Sequence, residues 1–344
     1  MLPAELDELV SELGQPAYRT QQILDWLHVK GAREIAQMSN LSKSLRSLLS
    51  ERTRITSLLE VDRQESATGE AVKFLFELPT GQRVESVLIV DGDRRTVCLS
   101  SQVGCPLDCK FCATGRMGLI ANLQAGQIVD QLLQVSLYAR ERGERVTNVV
   151  MMGMGEPLLN YDQVVRALRL MRLQEGVGLG GRKITVSTAG YVPGIRKLVA
   201  EDLNVGLAIS LNATTDEIRE KLMPINRKYK IADLLEAARN FFDRRGYRVT
   251  FEYVLMAGLT DLDEDALRLA KLTRDTPCKI NLIPYNELEE DGLYRRPSRR
   301  RLDQFYRLLR DSGTEFTVRE SRGRDIDAAC GQLYHQQEKV RTAL

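Results

Sequence analysis

The amino-acid sequence predicts an α/β protein whose main part is a partial, TIM-like (βα)6 barrel. Two observations support this prediction: strand-like apolar runs alternate with amphipathic helical segments over residues 91–325, and the intervals between them suit βα units. Such units need right-handed crossovers, which place a parallel sheet inside a layer of helices. About six units are too few for a closed eight-stranded barrel, and an open doubly wound sheet is the competing topology.

Residues 1–54 are predicted to form an N-terminal helical accessory domain. Apolar residues recur at helical spacing from Leu2 to Leu13, and the pattern resumes from Ile23 to Leu27 after a break at residues 14–20. The basic residues of this region are spaced in a way that favours solvated helix faces over nucleic-acid contacts. They are Arg19, Lys30, Arg33, Lys43, Arg46, Arg52 and Arg54.

Residues 55–90 are predicted to form a small antiparallel β extension. The runs KFLFEL and RVESVLIV are bounded by the turn signals ATGE, PTGQ and DGDR. The extension then leads into TVCLSS, the first strand of the barrel.

The barrel itself is predicted from six further strands and seven helices. The strands are NVVMMG, KITVST, VGLAISL, RVTFEYVL, CKINLIP and TEFTVR, and the helices span residues 124–140, 162–174, 193–200, 216–222, 231–244, 263–272 and 298–309. Functional side chains of such folds lie at the carboxyl ends of the strands. Polar or glycine residues stand at these predicted ends: Gly155, Glu156, Ser187, Ser210, Asn212 and Asn286.

Composition and charge restrict the class of protein. The 344 residues carry 49 basic and 47 acidic side chains, so a polyanionic partner must be bound by a local basic patch. The densest basic run is YRRPSRRR, in which Arg295, Arg296, Arg299, Arg300 and Arg301 follow Tyr294; solvated arginines at a helix start are the alternative. The sequence has no signal-peptide or bilayer-length apolar run, so we expect a cytoplasmic protein without membrane contact.

Six cysteines in a reducing compartment favour metal ligands or reactive thiols over disulfides, although Cys278 is typical of a small core residue. Cys105, Cys109 and Cys112 form a C-x3-C-x2-C motif. A structural zinc site needs four ligands, and the two histidines, His28 and His335, lie far away in sequence. A cubic iron-sulfur cluster held by three thiolates fits the spacing and leaves one iron with an open coordination position, which is a site for reaction.

The cysteine motif, with Phe111 before its last cysteine, resembles that of the radical S-adenosylmethionine enzymes. Residues 152–158, MGMGEPL, match the strand-end segment of that superfamily. The resemblance implies a partial barrel of the radical SAM type over residues 91–325, with one 4Fe-4S cluster in the loop after the first strand. It also implies that S-adenosylmethionine chelates the open iron, that Gly155 and Glu156 meet its methionyl amine, and that an electron splits it into methionine and a deoxyadenosyl radical.

A narrower resemblance covers nearly the whole chain. The segments SSQVGC, MMGMGEPLLN, VSTAG, AISLNA, MPINRKY, NLIPYN and DIDAACGQL are similar, in order, to the RlmN family of dual-specificity RNA methyltransferases. This resemblance implies methylation of adenine C2 in 23S ribosomal RNA, either protein-free or in an early assembly intermediate, and in transfer RNA next to the anticodon. It further implies a monomer, a reducing electron donor and two S-adenosylmethionine molecules per turnover.

The same resemblance assigns roles to single residues. Cys330, in a C-terminal segment of residues 326–344, would carry the methyl group, Cys98 would form a disulfide with it to release the product, and Glu85 would accept the C2 proton. From the residues alone, Glu85 is more typical of a solvated carboxylate on an exposed strand face. The implied S-adenosylmethionine contacts are Ser187, Ser210, Leu211, Asn212 and Asn286; Glu287 stands where the family has a proline, which changes the loop beside Asn286.

Two other functions compete with this one. The related enzyme Cfr methylates C8 of the same ribosomal adenine and carries the same cysteines. A non-catalytic iron-sulfur or zinc RNA-binding module is the alternative from another class.

Overall fold

A computed structural model describes residues 1–173, 177–288 and 293–333 of the chain. Its N-terminal part is helical, as predicted: α1 spans Pro3–Glu12, α2 spans Tyr18–Leu24 and continues as a π-helical turn, and α3 spans Lys43–Arg52. Ser42 begins α3, because its hydroxyl accepts a hydrogen bond from the Leu45 amide at 3.2 Å. These helices share an apolar cluster of their own, which includes Leu6, Val10, Leu24, Met38 and Leu45.

The β extension contains one strand more than predicted. Strands β1 (Leu59–Glu65), β2 (Ala71–Glu77), β3 (Arg83–Asp91) and β4 (Arg94–Cys98) pair in antiparallel fashion in that order. The sequence does not reveal β1 because its residues alternate between exposed and half-buried, so it presents no fully buried apolar face.

A short hairpin follows β4 and was also not predicted. It consists of β5 (Gln102–Cys105) and β6 (Gly118–Asn122), which enclose the cysteine loop and the short helix α4 (Ala113–Arg116). With only four residues in β5 and mostly exposed side chains in β6, neither strand produces a readable alternation. The hairpin places Cys105 at the end of a strand and fixes the base of the loop.

The remaining elements follow the predicted alternation, with bounds that differ by at most two residues. They are α5 (Ala125–Glu141), β7 (Asn148–Met151), α6 (Tyr161–Arg172), β8 (Ile184–Thr188), α7 (Val192–Ala200), β9 (Gly206–Ser210), α8 (Asp216–Leu222), α9 (Ile231–Arg245), β10 (Val249–Leu255), α10 (Asp263–Thr273), β11 (Cys278–Pro284), α11 (Arg299–Asp311) and β12 (Phe316–Val318). The predicted end of the 162–174 helix, Gln174, lies outside the described residues.

The order of the strands decides between the two topologies. In the main sheet the order is β1-β2-β3-β4-β7-β8-β9-β10-β11-β12, and β4 and β7 to β12 are all parallel. A doubly wound sheet reverses its strand order at one point, whereas here each strand lies beside its predecessor in the sheet. The partial barrel is therefore confirmed and the doubly wound alternative is wrong.

Candidate active site

An open cleft of about 1000 Å³, counting the part open to solvent, lies at the carboxyl ends of the parallel strands. This is the position at which barrels of this kind place their functional groups. Ten of the thirteen predicted site residues line it: Cys105, Cys109, Cys112, Gly155, Glu156, Ser187, Ser210, Asn212, Asn286 and Cys330. The other three, Glu85, Cys98 and Leu211, are not among its lining residues.

The cysteine loop is a tight backbone turn between β5 and α4. The Cys112 amide donates to the Cys109 carbonyl at 3.1 Å, and the Gly115 amide donates to the Cys112 carbonyl at 3.1 Å. A Cβ atom on Gly115 would lie only 2.8 Å from the Cys109 carbonyl oxygen. Glycine at position 115 therefore allows the loop to close on itself, with all three cysteines lining the cleft.

The donor set fits a cluster better than a single zinc ion. In the described ranges, no group of three cysteine, histidine, aspartate or glutamate side chains is arranged to hold one metal ion. Three cysteines of one loop line the cleft, which is the number of thiolates that a 4Fe-4S cluster with one open iron takes, whereas a structural zinc site needs four ligands. Burial raises the pKa of Cys105 to about 12 and that of Cys109 well above its usual range, so cluster binding must displace protons from these thiols.

Gly104 provides a test of how the hairpin supports this loop. Its φ of +72° is left-handed, and a Cβ atom there would lie 1.9 Å from the Gly118 carbonyl oxygen. We expect Gly104→Ala to force the hairpin apart and lower the iron and sulfide content of the reconstituted protein by about half or more. Gly81→Ala is the matched control, because Gly81 has a φ of +82° with no atom within 4 Å of its added Cβ. Equal iron content in the two variants would contradict this role of the hairpin.

Gly155 and Glu156 connect the ends of β7 and β8. Gly155 has a φ of +97°, and an added Cβ would lie 2.5 Å from the side chain of Gln102. The Glu156 carboxylate accepts hydrogen bonds from the Leu158 amide at 3.1 Å and the Ala189 amide at 2.7 Å. Burial nevertheless raises the pKa of Glu156 to about 7, so the charge of this cleft residue changes near neutral pH.

This raised pKa has a consequence for stability. Between pH 4.5 and about 7, folded Glu156 keeps a proton that the unfolded chain loses. The contribution of Glu156 to the free energy of unfolding of the metal-free protein should therefore fall by about 3 kcal/mol as the pH rises through this interval. We expect Glu156→Gln to lack that contribution, measured by urea unfolding at pH 5 and pH 8 under anaerobic conditions. The same pH dependence in both proteins would mean that Glu156 is not the group responsible.

A buried arginine that sequence reasoning missed holds the ends of β8 and β9 together. The Arg219 guanidinium donates to the carbonyls of Ala189 at 2.6 Å, Ser210 at 2.9 Å and Leu211 at 3.0 Å, and to Asn226 Oδ1 at 3.0 Å. Leu211 is itself fully buried, and its carbonyl is held by Arg219. In the sequence, Arg219 stands in the charged stretch DEIREKL and has the pattern of a solvated helix residue.

The loop that carries Cys330 is attached to the cysteine loop and to the end of β11. The Gly331 carbonyl accepts from the Ala113 amide at 2.8 Å, and Asn286 Nδ2 donates to the Cys330 carbonyl at 3.3 Å. Glu287, at the position of the family's proline, accepts from Gln332 Nε2 at 3.0 Å through its carbonyl. The unusual residue is thus part of the attachment of the Cys330 loop.

Cys98 lies in a second cavity of about 510 Å³ that Cys330 and Arg319 also line. Burial, together with the nearby Cys330, raises the pKa of Cys98 to about 12. Both cysteines are free thiols. The predicted disulfide is therefore not present in this structure, although the two thiols border the same cavity.

Glu85 is buried, with 3% of its surface exposed, and Lys73 Nζ lies 3.5 Å from its Oε1. The interpretation of Glu85 as a solvated carboxylate is wrong. Glu85 lies level with the carboxyl end of β4. Val87 pairs with Cys98, the last residue of β4, and Ser100 Oγ donates a hydrogen bond to the Glu85 carbonyl at 2.6 Å.

The run YRRPSRRR begins α11, and its arginines fall into two groups. Arg296 pairs with Glu320 at 2.7 Å, and Arg301 pairs with Asp263, so these two arginines form ion pairs within the protein. Arg295, Arg299 and Arg300 are exposed. An RNA contact through these three remains a prediction.

The two further charged residues that line the cleft, Glu252 and Arg319, were also missed. Glu252 stands in the apolar strand run RVTFEYVL, where one acidic residue has the pattern of an exposed strand position. Glu252 is buried because it lies on the side of β10 that faces the inside of the partial barrel. Only the tertiary structure shows which side of a strand faces inward.

Comparisons with known proteins show the family to which the chain belongs. Residues 99–270 match the model of the radical SAM superfamily, and residues 1–55 match that of the ribosomal RNA large subunit methyltransferase N-terminal domain. In the described part of the chain, no helix combines the length and apolar character that a bilayer crossing needs.

Similar proteins cover nearly the whole chain. A probable dual-specificity RNA methyltransferase RlmN of Desulforamulus reducens is 43% identical over 97% of this chain and 95% of its own length. The dual-specificity RNA methyltransferase RlmN of an Anaeromyxobacter species is 47% identical over 95% of this chain and 88% of its own length. The crystal structure of a radical SAM methyltransferase from Sphaerobacter thermophilus has a TM-score of 0.95 at 46% identity and covers 97% of this chain and 98% of its own. The chain therefore belongs to the RlmN family of radical SAM enzymes, which methylate RNA.

Proposed function

We propose that this enzyme methylates C2 of an adenine in 23S ribosomal RNA and of the adenine next to the anticodon in transfer RNA, with Cys330 as the methyl carrier. One observation carries the proposal: Cys330, from the far end of the described chain, lies in the same cleft as the three cysteines of the loop after β5. Cys330 lies outside the C-x3-C-x2-C spacing and is exposed, as a thiol that accepts a methyl group and passes it to a base must be.

The residues of the cleft fit the cofactors that superfamily membership implies. Cys105, Cys109 and Cys112 would hold one 4Fe-4S cluster, and S-adenosylmethionine would contact Gly155, Glu156, Ser187, Ser210, Asn212 and Asn286. Leu211, between Ser210 and Asn212, remains a predicted contact although it does not line the cleft. When bound, these groups supply the methyl group and the radical chemistry, with two S-adenosylmethionine molecules used per turnover. A radical route suits adenine C2, which is an electron-poor carbon that cannot act as a nucleophile in polar methyl transfer.

Cys330 and Cys98 have separate roles in the proposed reaction. Cys330 is exposed, so its sulfur can accept a methyl group in the cleft and present it to the base. Release of the base requires the bond between the Cys330 sulfur and the transferred carbon to break. Cys98, which borders the same cavity as Cys330, would attack that sulfur and form a transient S–S bond, while the released carbon takes a proton. Glu85 would accept the C2 proton.

The proposed reaction also implies how the RNA binds to the enzyme. An adenine within folded RNA must be splayed out of its stack to enter a cleft of this kind. The exposed Arg295, Arg299 and Arg300 supply a basic patch for phosphate groups. We further propose a cytoplasmic monomer that receives electrons from a reducing donor.

The site of the transferred methyl group tests the proposal. The enzyme is purified and reconstituted anaerobically, then incubated with ribosomal and transfer RNA from a strain that lacks this activity. We expect 2-methyladenine by mass mapping of both RNA classes and deoxyadenosine as a co-product. A methyl group on C8 would favour the Cfr reaction instead, and failure to form deoxyadenosine on reduction would favour an RNA-binding module without catalysis.

A further inference from the structure

Two charged side chains that the proposed mechanism does not use line the same cleft. Glu252 lies on β10 and Arg319 follows β12, and both border the cavity that contains Cys330. Burying a polar group without a hydrogen-bond partner costs free energy. Unpaired polar atoms in a binding cleft therefore indicate which polar groups a ligand of that cleft carries.

Glu252 presents one unused acceptor atom to the cleft. It lies in register with Ser210 on β9 and Asn281 on β11, and Asn281 Nδ2 donates to its Oε1 at 3.0 Å. Its second oxygen, Oε2, is buried without any hydrogen-bond partner, and only 6% of the residue is exposed. Because Asn281 fixes one oxygen, the other is held in place to accept a hydrogen bond from a ligand.

Arg319 supplies the complementary donors. Its backbone amide donates to the Leu282 carbonyl at 2.9 Å, which anchors the residue beside β11, and its Nη1 donates to the sulfur of Met152 at 3.4 Å. A thioether sulfur is a weak acceptor, so the guanidinium keeps donor capacity for a ligand. Arg319 lines the cleft together with Glu252 and Cys330, and it lines the second cavity together with Cys98 and Cys330. Cys330 raises the pKa of Arg319 most strongly, against the effect of burial, and Glu252 and Cys98 add to this effect.

The chemistry of these groups matches one edge of adenine. Along that edge follow C2, the ring nitrogen N1, which is an acceptor, and the exocyclic amino group, which is a donor. Cys330, Arg319 and Glu252 line the same cleft and offer a carbon-carrying sulfur, a donor and an acceptor. Guanine and hypoxanthine present the opposite pattern at N1 and at position 6, so this pair would reject them.

We propose that Glu252 is a specificity-determining residue that accepts a hydrogen bond from the amino group of the target adenine in RNA, while Arg319 donates to N1. The inference rests on the proposed function, since it places C2 of that base at Cys330. The adenine of S-adenosylmethionine has the same edge, and the experiment must distinguish the two sources.

The test compares RNA whose target adenosine is intact with RNA that carries purine riboside at that position, which lacks only the amino group. Reconstituted wild type, Glu252→Met and Glu252→Gln are assayed for single-turnover methylation and, separately, for RNA affinity by fluorescence anisotropy. Glu315→Met is the matched control, because Glu315 is an exposed carboxylate paired with Arg248. A parallel arm measures RNA-free methylation of Cys330, by protein mass, with S-adenosylmethionine and its purine analogue.

We expect wild type and Glu315→Met to favour adenosine over purine riboside by about 10- to 100-fold, the range for a hydrogen bond to a charged group. Glu252→Met should lose this preference and Glu252→Gln should keep part of it. An undiminished preference in Glu252→Met would overturn the inference, as would a preference that depends on Glu252 only in the S-adenosylmethionine arm. If wild type methylates neither Cys330 nor RNA, the proposed function fails, and the binding data alone decide on Glu252.

Discussion

Cys330→Ala is expected to abolish RNA methylation, by roughly 10³-fold or more, because no sulfur remains in the cleft to receive the methyl group and bond to the base. The variant should keep the iron and sulfide content of wild type and still form deoxyadenosine, since Cys330 is not one of the three cysteines of the loop after β5. Methyl transfer is measured with isotopically labelled S-adenosylmethionine, and protein mass reports the methyl group on Cys330 in wild type.

Cys278→Ala is the control for this prediction. Cys278 begins β11 and is half-buried, and it does not line the cleft, so its loss should leave methylation unchanged. RNA methylation at the wild-type rate by Cys330→Ala would refute the carrier mechanism and would require direct transfer to the base.

Arg219→Met should lower the free energy of unfolding by about 2–4 kcal/mol and weaken S-adenosylmethionine binding. The substitution leaves four buried or partly buried acceptors without their donor, and three of these are backbone carbonyls at the ends of β8 and β9. Burial already lowers the pKa of Arg219 to about 10, so relief of that desolvation offsets part of the loss. Urea unfolding of the metal-free protein and equilibrium binding to the reconstituted protein measure the two effects.

Arg227→Met is the matched control, because Arg227 is exposed and pairs with Glu220 at 3.1 Å. A surface pair of this kind is worth less than about 1 kcal/mol. If both arginine variants were equally stable, the four hydrogen bonds of Arg219 would not be what holds these strand ends together.

The parts that could be predicted from the sequence are those encoded in local periodicity and close spacing. The strands from β7 to β12 are short apolar runs between amphipathic helices, and the cysteines of the loop lie within eight residues of one another. Strand ends of a parallel sheet meet at one edge, so the polar residues at those ends could be assigned to a common cleft from their positions along the chain.

Charged residues that become buried could not be predicted in this way. Glu85, Arg219 and Glu252 each stand in stretches whose pattern is that of a solvent-facing position. Their burial depends on partners that are distant in sequence or on other elements: Lys73 on β2, carbonyl groups on β8 and β9, and Asn281 on β11. Spacing within one element contains no information about such partners.

The attachment of the Cys330 loop to the cysteine loop has a consequence for the order of synthesis. Cys105, Cys109 and Cys112 leave the ribosome more than 200 residues before Cys330, whose neighbour Gly331 bonds to Ala113. On the proposed mechanism, a nascent or prematurely ended chain that lacks Cys330 would contain the proposed cofactor residues without the sulfur that bonds to the base. The proposal therefore implies that covalent attachment to RNA, including the ribosomal RNA of the translating ribosome, is restricted to chains synthesised through Cys330.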